Sequence, residues 1–154
     1  MVHDAMPAPK DAIALLQADH EAVSQLFAAY EKSRSVPDKK ALVAEICTTL
    51  SVHAQIKEEI FYPEVKAALH DRQLVSEVTA EHAGVKNLIA QLEGGVPDGE
   101  QCDARVRVLS EYLKHHVKEQ QSGVFRMAEN SLLDLDEVGA RMTARRDDLL
   151  ARAA

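Results

Sequence analysis

The stretch ALVAEICTTLSVHAQIKEEIFYP, residues 41–63, sets Leu42, Ile46, Leu50, His53, Lys57 and Ile60 at steps of four and three. That spacing traces one stripe along a 3.6-residue helix, the stripe that faces a core. His53 and Lys57 therefore lie on an inward seam, and Pro63 predicts a kink or a late break in the helix that carries them.

Three other segments repeat the pattern. Upstream, Leu16, His20, Val23, Phe27 and Tyr30 follow Asp11, a side chain suited to cap a helix N-terminus, and Ser-Val-Pro-Asp at 35–38 ends the segment. Downstream come Val75, Val78, His82, Val85, Ile89 and Leu92, then the turn Glu93-Gly-Gly-Val-Pro-Asp-Gly99. The fourth stripe is Val106, Leu109, Leu113, His116, Gln120, Val124 and Met127. Short connections and the lack of strand-like alternation predict an all-α fold. The expected architecture is an antiparallel up-down-up-down four-helix bundle with an additional C-terminal helix. The expected division is a loose N-terminal tail over 1–10, the bundle over 11–132, and a C-terminal helix over 133–154 packed on it. The Arg145-Arg-Asp-Asp148 run on that last helix reads as a solvated face.

Bulk properties narrow the partners. The 154 residues are 46% hydrophobic and 28% charged, enough for one domain with a real core. A formal charge of −7 argues against a nucleic-acid partner, whose phosphates need a basic face. No stretch reads as a secretion signal or a membrane span, which predicts a cytoplasmic protein. Cys47 and Cys102 form no C-x-x-C pair and read as buried thiols. Oligomeric state is not legible.

Four histidines at matching depth on four facing helices point to metal ligation, since imidazole is a common ligand and unpaired buried rings are costly. None has Glu three residues before it, which excludes the Glu-x-x-His carboxylate scheme of ferritin-like sites. H-E-x-x-H, a nucleophile elbow and a phosphate-binding glycine loop are absent from the sequence. No catalytic residue is assigned, and the pattern suits a metal-binding protein better than an enzyme acting on an organic substrate.

From Leu15 to about Leu150 the chain resembles the bacterial hemerythrin-like (HHE cation-binding) proteins. The resemblance is carried by Asp19-His20, by His53 followed by Glu-Glu-Ile-Phe-Tyr-Pro63, by Glu81-His82-Ala-Gly-Val-Lys86, and by Tyr112-Leu-Lys-His-His-Val-Lys-Glu119. It implies a non-haem di-iron centre with His20, His53, His82 and His116 as ligands. It also implies O2, NO or oxidative-stress chemistry at open iron positions, and bridging glutamates at positions 57 and 120.

Those two positions hold Lys57 and Gln120. A lysine ammonium about 4 Å from a dication is repelled by on the order of 8 kcal/mol at an effective dielectric of 20. Glu58, Glu59 and Glu119 sit at other angles around their helices. Glu119 lies four residues after His115, so a His115–Glu119 pair is allowed, although the apolar phase favours His116 as the inward member. Three arrangements satisfy these residues. The site holds metal in an altered way, as a single ion or as two irons helped by other carboxylates. Alternatively it is vestigial and metal-free, with Lys57 filling the metal volume, paired to Glu81 or Glu58, and Gln120 bonded to the imidazoles, leaving a structural or interaction module. In the third, Lys57 is itself a reactive amine.

Overall fold

The computed structural model of the chain describes residues 11–94 and 99–153, with the backbone alone at 72, 74 and 75. The expected tail at 1–10, most of the turn after Glu93 and the side chain of Val75 lie outside the described residues. Those described are almost entirely helical, with no strand among them.

Helix α1 spans Ala12–Lys32, and the Asp11 carboxylate accepts from Ala14 N at 2.7 Å, the expected N-cap. Helix α2, Val36–Ile56, starts within the Ser-Val-Pro-Asp break itself, because Ser35 caps it and Pro37 fits the first turn. A π-helical turn, Lys57–Phe61, then joins α2 to α3, Tyr62–Leu69. Pro63 explains it. The ring has no N–H and crowds the carbonyl four residues back, and the chain widens so that Tyr62 N bonds Lys57 O, five residues back. Helix α3 stops at His70, which is exposed and left-handed at φ 54°.

Helix α4 is Arg72–Gly94 and α5 is Glu100–Ser122. The fourth stripe does not continue straight through Met127. Gly123 interrupts it at φ −108°, ψ −99°, where a Cβ would meet Glu119 O at 2.9 Å. The short α6, Val124–Glu129, restarts in a new phase, burying Val124, Phe125 and Ala128 and leaving Met127 exposed. Helix α7, Leu135–Ala153, lies across α1, α2 and the π turn, with Val138, Gly139 and Met142 facing inward.

Two apolar clusters form the core. One holds Leu15, Leu16, Ile56, Phe61, Val78, Val124 and Phe125; the other holds Val23, Phe27, Ile46, Leu50, Val85, Ile89, Leu109 and Leu113. Along α1 and α4 the chain passes from the first cluster to the second, and along α2 and from α5 into α6 it passes from the second to the first. That alternation is the antiparallel bundle stated in side chains. On each of these four helices the crossing point is the histidine.

Candidate cation centre

Burial separates the inward from the outward members. His53, His82, His116, Lys57 and Gln120 are all buried, Lys57 and Gln120 to 1% exposure, and His20 is partly buried. His115 is exposed and pairs with Glu119 at 3.5 Å across one helical turn, so His116 is the inward residue of the two.

Two of the imidazoles are fixed by carboxylates. His53 Nδ1 lies 2.9 Å from Asp19 Oδ2, and His116 Nδ1 lies 3.1 Å from Glu81 Oε2. A neutral imidazole beside a carboxylate carries its proton on the facing nitrogen, which leaves Nε2 of both rings as an acceptor. Asp19 is held in turn by Arg146 from α7, at 2.9 Å from Oδ1. Helical periodicity assigns Asp19 and Arg146 no role, and the run at 145–148 is not wholly a solvated face, since Arg146 reaches Asp19. The motif Asp19-His20 was the available signal; the arginine was invisible because its partner is 127 positions away.

Four buried polar atoms of the layer lack partners. His20 Nδ1, His53 Nε2, His82 Nε2 and Gln120 Oε1 are buried without a hydrogen bond. The His20 and His53 rings stand 4.9 Å apart, and Phe125 stacks on His20 at 6.3 Å. His82 Nε2 is 3.4 Å from Glu58 Oε1 but out of line for a hydrogen bond, while Lys86 holds that same oxygen at 3.0 Å.

Lys57 projects among them. Its Nζ makes a long hydrogen bond, 3.5 Å, to His116 Nε2, and lies 5.4 Å from the centre of the Tyr62 ring. The acid groups Glu81 and Asp19 attract it from farther off. Glu81 is thus a neighbour of Lys57 in the field, but its hydrogen bond goes to His116. Gln120 also departs from expectation: its Nε2 donates to Tyr62 Oη at 3.0 Å and to no imidazole. Tyr62 is itself buried and adds this polar contact.

Charge follows from burial. Loss of water drives His20 down to about 2, His116 to about 3 and His82 to about 4, with the neighbouring Lys57 adding to each. His53 is lowered by burial against the opposing pull of Asp19. At neutral pH these rings are uncharged acceptors. Burial also pulls Lys57 down to about 7, with Glu81 and Asp19 resisting.

The donor set can be tested against two carboxylate-bridged irons, and it does not fit them. Positions 57 and 120 offer an amine and an amide, and the amine occupies the space beside His116 Nε2. Among the described residues, no three His, Cys, Asp or Glu side chains are gathered to hold a metal ion. What the arrangement offers is a layer of neutral acceptors with one amine of the chain itself inside it.

Comparison with known proteins places this geometry. A relative from Nostoc sp., a DNA nickase, is 26% identical over 118 residues, which cover 77% of this chain and 33% of the nickase. The chain thus spans about a third of that relative's length. The crystal structure of a hemerythrin HHE cation binding domain-containing protein from Mycobacterium kansasii matches with a TM-score of 0.78 and 22% identity. The match covers 93% of this chain and 89% of that one, a likeness of fold. The model of the hemerythrin HHE cation binding domain matches residues 11–128, well over half the chain. With its bundle and its buried histidine layer, the chain belongs to the hemerythrin HHE cation-binding domain family.

Proposed function

We propose that this protein is a hemerythrin-fold module whose cation site is filled from within, by Lys57, and whose resting role is binding or signalling through its folded surface. The observation that carries the reading is the place of the Lys57 amine, fully buried and 3.5 Å from the inward nitrogen of His116. Neutral acceptors suit a cation, and a lysine tethered in the same bundle reaches them at high effective concentration. The charge of −7 supports partners other than nucleic acid, and no helix among the described residues is long and apolar enough to cross a membrane.

A second reading is favoured by one feature. Carboxylates orient His53 and His116 as they orient histidines that ligate metals. With Lys57 swung aside, His20, His53, His82 and His116 supply four nitrogen donors for a single ion, which suits zinc, copper, nickel or ferrous iron. Iron there would carry the O2 or NO chemistry that the family resemblance implies.

Replacing Lys57→Glu and Gln120→Glu together discriminates between these readings. If Lys57 holds the cation position, the double variant takes up iron or zinc well above the wild-type level, read by elemental analysis of the two proteins grown side by side. Equal metal content in both, at one or more ions per chain, contradicts the resident-cation reading.

A further inference from the structure

We propose that the cleft between α3 and α4 binds a small organic acid, whose carboxylate takes the place that the Glu58 side chain now holds beside His82 and Lys86. The inference goes beyond the reading above and rests on it in one respect only, that His82 is free of metal.

The cleft is open to solvent and has a volume of about 610 Å³, within the range of small-molecule sites. Tyr62 and Pro63 from α3 and Ala83 from α4 give it apolar walls. Lys66 stands on one side and Lys86 on the other, and Glu58 enters from the π turn. Beside Glu58 lies His82, only 4% exposed, whose Nε2 makes no hydrogen bond. The Tyr62 ring meets this imidazole edge-on, at 87° with centroids 5.6 Å apart, and so fixes its orientation at the cleft.

Glu58 shows what this corner recognises. Its Oε1 accepts from Lys86 Nζ at 3.0 Å and lies 3.4 Å from His82 Nε2, near but out of line for a bond. A carboxylate tethered to the π turn thus reaches two nitrogens and satisfies one of them. A neutral imidazole can carry its proton on Nε2 and donate it. A free carboxylate has no tether, so one oxygen can meet Nε2 in line while the other accepts from Lys86. The Glu58 side chain is 44% exposed, and an exposed ion pair of this kind is given up to water at little cost.

Charge and shape agree with that occupant. Lys66 is exposed and has no ion pair among the described residues. With Glu58 turned out, the cleft presents two ammonium groups to an entering anion. The walls of Pro63 and Ala83 suit an apolar body about the size of one ring. The occupant is therefore a carboxylate on a compact apolar body, and benzoate is its simplest probe.

The test titrates benzoate into the 13C,15N-labelled chain after chelator treatment, with pH and ionic strength held fixed. Sodium chloride and benzamide serve as controls for general anion effects and for the ring alone. The expected result is a saturable shift of the Ala83, Lys86 and His82 ring signals in nuclear magnetic resonance spectra, with Val23 and Phe27 on α1 unmoved. Glu58→Gln, which removes the tethered competitor, should bind benzoate about threefold or more tightly than the wild type, and Lys86→Met about threefold or more weakly. Absence of saturable shifts from both the wild type and Glu58→Gln overturns the proposal. So does an affinity that Glu58→Gln leaves unchanged or lowers, and so do equal shifts from chloride or benzamide. Should Lys86→Met fail to fold, the comparison with Glu58→Gln still decides. Metal found on the wild-type chain before chelation would instead refute the resident-cation reading, and the titration of the chelator-treated chain would still decide for the cleft.

Discussion

Lys57 is costly where it stands. Burial lowers its affinity for a proton from the usual 10.5 to about 7, so between those values the unfolded chain binds more protons than the folded one. Stability due to this residue therefore rises with pH across that window and is lowest below about 7. Comparison with Lys57→Met isolates the effect, since methionine has similar bulk and no charge. In urea titrations the wild type should gain on the Met variant by up to about 1.4 kcal/mol per pH unit between pH 7 and 10. A gap that stays constant over that range would show that the amine is not buried as described. The sequence made this residue legible: its step of four from His53 fixed its inward direction. It could not show that Gln120 turns to Tyr62, because a side-chain amide within reach of several partners chooses by local geometry that periodicity does not encode.

At the scale of elements, the π turn and α7 shape the centre together. Pro63 was readable as a disturbance, but its outcome, a widened turn that begins at Lys57, depends on how Tyr62 N finds a carbonyl. Gly123 was equally readable as a glycine, yet the change of phase it brings moved Met127 outward and Phe125 onto His20. Helix α7 pins the π turn and α1 through arginines. Arg145 reaches Glu59 at 2.8 and 3.3 Å in an exposed setting, while Arg146 reaches the mostly buried Asp19. Exposed pairs contribute little, whereas a buried carboxylate that loses a charged donor forfeits desolvation it cannot recover. Arg146→Ala should therefore destabilise by about 1–3 kcal/mol, and Arg145→Ala should do much less, with chemical denaturation as the measure. Equal losses would mean that α7 acts by packing alone. Such long-range pairs escape sequence reading because local periodicity says nothing of which surface a fifth helix chooses.

Over the whole molecule, the all-α bundle was legible because one stripe recurs four times with a histidine at each midpoint. The alternation of the two apolar clusters along successive helices is the same fact in three dimensions. The content of the centre was legible only as a set of alternatives. Residue identities placed a cation and an amide where carboxylates were expected, and the position of the Lys57 amine now favours the internally filled arrangement. A domain that owes its fold to a bound metal melts when the metal is removed. This one should keep its Tm in the presence of a strong chelator, and a large drop would show that metal supports the fold.

The most direct measurement is the metal content of the wild-type chain, expressed with iron supplementation and purified without a metal-affinity step. An internally filled centre predicts well under one metal ion per chain in a protein that remains helical and cooperative in unfolding. One or two irons per chain, with near-ultraviolet charge-transfer bands, would contradict it and return the histidines to the role of ligands.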